Sequence, residues 1–575
     1  MGRYQTRKRP PPAARRRRDS DASFTASASV TTPSEASEES ESPSEPEVKK
    51  RKTASSSIAV STKPKKRASV ARGSSSTLIQ QFQGLLAESH PSELSPCLPP
   101  SRLHSLSYHV PLLFSSSSTR ASLLAWFDKT SASRGMPWRK PFAQPSSLSR
   151  TALAQRAYEV WISEIMLQQT RVSTVISYWL RWMELFPSIE ALAAASRDDV
   201  LSAWRGLGYY SRAVRVHEAA QVVVNDATMD GLLPADVAEL EGKVPGVGRY
   251  TAGAISSIVF GRSAAMVDGN VLRVLSRQMG IYGSVKDKKV VDAVWTAAER
   301  LVQQVAKDVD DASQEEAVSD RPGRWGQALM ELGSTICTPK PSCAACPITT
   351  TCRAFTEGQA MSRDTSQEPA TVTTDVEDLC ILCDDFEEEM VTKKTQRQNG
   401  KKTQSSKKSS QASESESVDI ITDYVRRFPT KTIKKAVRQE ETLVCAIRSE
   451  HDNTYLIHRR PDKGLLAGLW ELPSLLLSDS EKSTAQSRQR QAKAFASKLA
   501  GTANARYCGE LGTIPWLFSH IKLTMHVYLF VLEGPSKTKS TDTSQRWESS
   551  KGIDKESMGT GMRKCWALVK EEDDM

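Results

Sequence analysis

The chain has 575 residues, with 78 Lys and Arg against 67 Asp and Glu, a formal net charge of +11 and a pI of about 9.0. That length admits several domains, and the basic balance favours a polyanionic partner such as nucleic acid. No apolar run reaches transmembrane length, so a membrane-spanning segment is excluded from the sequence reading and a soluble, intracellular protein is expected.

Residues 1 to about 75 are rich in Ser, Pro, Lys and Arg and almost free of aromatics, so they cannot bury enough apolar surface to offset chain ordering. The whole of 1–117 reads as a mostly disordered basic region. Its clusters Arg15-Arg16-Arg17-Arg18, Lys49-Lys50-Arg51-Lys52 and Lys63-Pro64-Lys65-Lys66-Arg67 resemble nuclear-localisation signals, and a solvated tail explains any one of them as well. The acid-free, Arg-rich start keeps a mitochondrial transit segment open beside the nucleus. A second polar stretch, 357–437, reads as a flexible linker between two folded domains, 118–356 and 438–575.

From Arg120 onward apolar residues recur at helical spacing, which predicts an all-α domain. Tyr158, Trp161, Ile162 and Ile165 form one apolar stripe, and Glu164 falls at its edge. There a carboxylate is either a solvated helix-edge group or a partly desolvated one with a raised pKa. In Val244-Pro245-Gly246-Val247-Gly248-Arg249-Tyr250, the glycines Gly246 and Gly248 permit a tight turn that exposes backbone N–H groups at a helix start, a ready phosphate site. Asp268, in Asp268-Gly269-Asn270, immediately precedes a periodic helix and is a natural N-cap. Cys337, Cys343, Cys346 and Cys352 then follow in C-x5-C-x2-C-x5-C spacing. Four thiolates in one short loop can wrap a tetrahedral metal or an iron–sulfur cluster, with unligated thiols or a disulfide pair as the alternatives.

Beyond the linker, Thr442 to Ile447 and Thr524 to Phe530 read as strands, with a helix around Ala492 to Leu499 between them. The region therefore reads as α/β. Its run Gly464-Leu465-Leu466-Ala467-Gly468-Leu469-Trp470-Glu471 looks like a Nudix-type signature. A Nudix hydrolase needs clustered glutamates for magnesium, and the stretch Arg490 to Gly501 has no acidic residue.

The order of motifs is similar to that of the endonuclease III superfamily, and within it to MutY-type adenine DNA glycosylases. The matching segments are Glu164 to Thr170, Gly206-Leu207-Gly208-Tyr209-Tyr210, the Pro-Gly-Val-Gly hairpin, Asp268-Gly269-Asn270 and the cysteine loop. With the second domain the resemblance covers roughly 120–356 and 440–570. One departure concerns the first two loop cysteines: they are separated by five residues where the family has six, so the loop must close differently.

The resemblance implies a helix-hairpin-helix glycosylase domain with an iron–sulfur loop, joined to a Nudix-like domain that reads the opposite base. It implies removal of adenine mispaired with 8-oxoguanine in double-stranded DNA, after extrusion of the base. Glu164 would be the general acid and Asp268 the stabiliser of the sugar cation, with Tyr250 and Asn270 orienting them. Gln169 and Tyr209 would wedge into the duplex, and Phe518-Ser519-His520 matches the 8-oxoguanine recognition loop. Lyase-competent relatives carry a lysine where Tyr250 stands, so base removal without efficient strand cleavage is expected. The four loop cysteines would hold a 4Fe-4S cluster. Related animal enzymes have a zinc-binding linker with an upstream histidine; Cys380, Cys383 and His109 match in part, but two cysteines do not complete a site, and unligated thiols are expected. A monomer is expected, and the sequence names no protein partner. The competing readings are a catalytically silent DNA-binding scaffold, a bifunctional pyrimidine-damage glycosylase and a Nudix pyrophosphatase.

Overall fold

A computed structural model describes residues 75–87, 95–99, 102–308, 318–363, 379–386, 411–431, 437–461, 464–477, 484–500, 505–518, 520–533 and 544–573. The three basic clusters and Ser519 lie outside the described residues. Among those described, no helix is long and apolar enough to cross a membrane.

The first domain is helical throughout and has two cores. One is built by α3 (Arg150–Leu167), α4 (Val172–Leu185), α5 (Ile189–Ala194), α6 (Arg197–Ala203), α7 (Ser211–Asn225), α8 (Val237–Lys243) and α9 (Arg249–Ile258) around Trp161, Trp182 and Trp204. The other packs α10 (Gly269–Gln278), α11 (Lys288–Lys307) and α12 (Arg321–Thr335) with α2 (Ser117–Ser133) and α1 (Ser75–Ala87) around Trp325. Polar N-caps start these helices: Ser149 accepts from Ala152 N–H for α3, and Asp268 accepts from Val271 N–H for α10. The seam between the cores runs where α9 packs on α12, with α3 on one side and α10 on the other.

Two expected boundaries need correction. The helical domain begins well before 118: Leu78, Phe82 and Leu86 form an i, i+4, i+8 stripe on α1 that packs with the α11 core, and Tyr108, His109, Val110 and Leu113 are buried. Nor is 357–437 a free linker wherever it is described. Glu357, on α13 (Arg353–Ser362), is fully buried and accepts hydrogen bonds from Arg102 (2.8 Å), Tyr108 (2.7 Å) and Tyr424 (2.6 Å). Tyr424 belongs to α14 (Gln411–Val425), and Val425 and Phe428 pack beside Cys352. A few anchor residues do this, and averaging composition over long Ser- and Lys-rich windows hides them.

The second domain is a mixed sheet of order β3-β2-β1-β6-β5, formed by β1 (Arg438–Ser449), β2 (Thr454–Arg459), β3 (Trp470–Glu471), β5 (Ala505–Leu517) and β6 (Ile521–Leu532). Strand β4 (Ser474–Leu476) pairs with β1, and β7 (Gln545–Ser549) with β2. The parallel β1/β6 pair is central, and its middle, Leu443 to Ile447 beside Val527 to Leu532, is buried and apolar, as a doubly covered strand pair must be. One face is covered by α15 (Ala485–Ala500), the other by α17 (Thr560–Asp573) beyond the short α16 (Ser550–Lys555). Helix α15 carries no carboxylate, so it offers no magnesium ligand. The Gly464–Trp470 loop also has a packing role: Leu466 and Leu469 insert into the first helical core, and Arg205 donates to the Asp554 carbonyl at 3.0 Å.

Candidate active site

Glu164 lies near the end of α3, and from Ala157 to Met166 that helix is buried on every side. The carboxyl group is therefore inside the seam, not on a stripe edge: only 6% of the residue is exposed. Burial pushes its pKa up, and repulsion from Asp268 adds to this. The Tyr250 hydroxyl, 2.6 Å from Glu164 Oε2, and the Arg139 guanidinium act in the opposite direction. The result is a carboxyl group that retains its proton above the ordinary glutamate range.

Asp268 is the N-cap expected of it, and its second oxygen is held as well. Oδ1 caps α10 by accepting from Val271 N–H at 2.8 Å, while Oδ2 accepts from the Asn270 amide at 2.8 Å. Burial raises its pKa, opposed by those two donors and by Arg273, all of which favour the carboxylate. Two carboxyls with different donor sets face one seam, which is how one site can hold an acid beside an anion.

Further polar side chains line the seam. Glu331 on α12, 2% exposed, holds Arg139 at 2.9 Å and Arg134 at 2.8 Å, while the Tyr250 hydroxyl is 2.9 Å from Met330 Sδ. Arg273 donates to Asn270 Oδ1 (2.7 Å) and to the carbonyls of Gly333 (2.8 Å) and Cys337 (2.9 Å), so one hydrogen-bonded path runs from Asp268 to the cysteine loop. Close approach requires the glycine on α12: a Cβ at Gly333 would stand 2.7 Å from Asn270 Cβ.

The surface elements lie around this seam. Pro245, Gly246, Gly248 and Arg249 are exposed while Val247 is buried, and Gly246 turns at φ +78°. The hairpin thus presents the N-terminus of α9, whose cap Gly248 supplies no side-chain partner. Gln169 and Tyr209 are both exposed, on loops following α3 and α6. In the second domain Phe518 and His520 flank the β5–β6 turn, Phe518 half-buried with its N–H donating to the Ile521 carbonyl at 2.8 Å, His520 exposed.

Cys337, Cys343, Cys346 and Cys352 line one cavity with Val274, Leu332, Ile336, Phe355 and Val425. The five-residue gap closes through Ser342 N–H on the Ile336 carbonyl at 3.0 Å. Burial and repulsion from neighbouring thiolates push three thiols up, Cys343 to about 11, Cys346 to about 12 and Cys352 well above its ordinary value, so thiolates gathered here need a cationic centre. Arg277 donates to Cys337 Sγ at 3.2 Å. This donor set fits an iron–sulfur cluster.

A second donor set was only half legible in the sequence. Ligand atoms of His104, His109, Cys380 and Cys383 all lie within 4.8 Å of one another. His109 Nδ1 hydrogen-bonds the Met279 carbonyl at 2.8 Å and so turns Nε2 toward Cys380 Sγ, 3.1 Å away. Two imidazoles and two thiols of this kind fit a tetrahedral zinc ion. His104, Arg139, Glu331 and Arg273 escaped sequence reading because nothing in their local pattern sets them apart.

The helical domain matches the model of the HhH-GPD superfamily base excision DNA repair proteins over 162–304, and 443–568 match a NUDIX domain. Fold and site therefore define a base-excision glycosylase with an appended Nudix fold. The chain is 36% identical over 465 residues to the adenine DNA glycosylase of Homo sapiens, covering 78% of this chain and 73% of that one. It is 33% identical over 512 residues to that of Rattus norvegicus (88% and 87%) and 33% identical over 461 residues to that of Schizosaccharomyces pombe (76% and 87%). The chain belongs to the adenine DNA glycosylase family, whose activity is adenine excision from DNA in base excision repair.

Proposed function

We propose that the preferred substrate is adenine opposite 8-oxoguanine, removed without strand cleavage. The observation that carries the chemistry is the buried Glu164 carboxyl beside Tyr250 and Asp268. Glu164 delivers its proton to the extruded base as the bond to the sugar breaks, so the electron pair leaves on a neutral adenine. The Asp268 carboxylate, held by Val271 and Asn270, faces the developing positive charge on the sugar. Water then supplies the new hydroxyl, its proton passing to the Glu164 carboxylate. Tyr250 has no amine to form a Schiff base, so no residue at that position opens the sugar for strand scission.

Gln169 and Tyr209 are assigned to the duplex wedge and the hairpin at Gly246 and Gly248 to the phosphates. Phe518, Ser519 and His520 read the opposite base, a role supported by the exposed His520 just before β6. The four loop cysteines hold a 4Fe-4S cluster whose contribution is to fix the loop beside α10. His104, His109, Cys380 and Cys383 hold zinc, joining the segment upstream of α2 to the connector. The basic N-terminal clusters direct the chain to the nucleus.

Single-turnover adenine release from duplexes pairing A with 8-oxoguanine, G or C tests the assignment. Release fastest opposite 8-oxoguanine, slower opposite G and absent opposite C supports it. Equal rates opposite 8-oxoguanine and C would refute the opposite-base reading.

A further inference from the structure

Gln169 and Tyr209 share an unusual backbone: both are non-glycine residues in the left-handed region, at φ +53° and +45°, and both are exposed. Such conformations persist only where surrounding contacts over-determine them. Here a single buried side chain contacts both loops.

Arg212, the second residue of α7, is 8% exposed. Its Nη1 donates to the carbonyls of Ile165 (2.7 Å), Met166 (3.2 Å) and Gln168 (2.8 Å), which end α3. Its Nη2 donates to the carbonyls of Leu207 (3.3 Å) and Gly208 (3.2 Å) and reaches Thr170 Oγ1 at 3.5 Å. The guanidinium also lies 5.1 Å from the Trp204 ring and 5.6 Å from the Tyr209 ring. Among the described residues no carboxylate pairs with it. Burial draws its pKa down to about 10, and the buried charge is met chiefly by backbone carbonyls, with the Thr170 hydroxyl and the Trp204 and Tyr209 rings beside it. A planar fork with donors on both arms can span two loops at once; an ammonium cannot.

We propose that Arg212 is a positioning residue that locks the Gln169 and Tyr209 loops into one rigid two-pronged wedge. Through the Ile165 and Met166 carbonyls it also ties that wedge to the last turn of α3, which carries Glu164. Entry of the wedge and placement of the acid are thereby one event. This inference rests on reading Gln169 and Tyr209 as the wedge.

The test uses the full chain and a duplex with 2-aminopurine at the target adenine opposite 8-oxoguanine. Fluorescence from that duplex in a Glu164→Gln background reports base extrusion, and adenine release from a second duplex carrying A at the same position, with the wild-type Glu164, reports the reaction. Arg212→Lys keeps the charge but reaches only one loop. It is expected to reduce both signals on the order of 10- to 100-fold, with duplex affinity and melting temperature little changed. Adding it to Gln169→Ala/Tyr209→Ala should cost no further extrusion, because interacting positions are not additive. Full extrusion by Arg212→Lys, with Gln169→Ala and Tyr209→Ala impaired, would overturn the role of Arg212 and leave the wedge standing. Full extrusion by the two alanine variants would remove the wedge reading and the inference with it. Arg212→Met, which can still pack on Trp204, is the second variant; loss of fold or affinity in both would reduce Arg212 to a structural residue and overturn the proposal.

Discussion

The Tyr250 hydroxyl stands 2.6 Å from Glu164 Oε2 and opposes the burial that keeps the carboxyl protonated. The Glu164 proton is therefore held between two opposing influences. Adenine release should fall as pH rises through the raised Glu164 pKa, because the ionised form has no proton to give. In Tyr250→Phe one influence favouring the anion is gone, so the alkaline limb of the pH–rate profile should move to higher pH. Arg139→Ala should move it the same way, since Arg139 also favours the carboxylate. A limb that moves down in either variant would contradict this electrostatic assignment.

The same shift is a statement about stability. The folded-state pKa of Glu164 lies above its unfolded value, so the folded chain binds that proton more tightly. The stabilising contribution is complete below the unfolded pKa and is lost as pH rises through the folded one. Glu164→Gln, which stays neutral, should therefore melt at a higher temperature than wild type, with the difference growing as pH rises above the unfolded glutamate range. Adenine release by the variant should fall on the order of 100- to 10,000-fold. Equal melting temperatures at pH 8 would show that the buried carboxyl carries no such penalty.

How much of this was legible in the sequence depended on whether a signal is local. Cys337 to Cys352, the turn at Gly246 and the cap at Asp268 each declare themselves within a few residues. Glu164 was found, but its depth was not, because amphipathic spacing cannot show that α3 is enclosed on all sides. Arg212 and Glu331 become informative only once carbonyls and arginines from distant segments converge on them. His104 lies 279 residues before Cys383, and no spacing rule joins them.

The two sulfur-bearing sites should be separable. Cys383→Ala is expected to lose about one equivalent of zinc by elemental analysis while retaining its iron. Cys343→Ser should lose the visible iron–sulfur absorbance. Removing the hydrogen bond between His109 Nδ1 and the Met279 carbonyl leaves the ligands in place, and such outer-shell changes lower metal affinity on the order of 10- to 100-fold. Zinc retained by Cys383→Ala would contradict the four-donor assignment.

The β5–β6 turn should govern which base is tolerated opposite adenine, not the chemistry itself. Phe518→Ala combined with His520→Ala should narrow the difference between duplexes carrying 8-oxoguanine and G by about tenfold, with release opposite G nearly unchanged. A parallel fall on both duplexes would place these residues in folding or general affinity instead.

The most direct test of the central claim is single-turnover adenine release from a duplex with A opposite 8-oxoguanine, analysed before and after alkali. Free adenine with strand breaks only after alkali, abolished by Glu164→Gln, is the predicted result. Strand breaks without alkali, or release that survives in Glu164→Gln, would contradict a monofunctional glycosylase in which Glu164 supplies the proton.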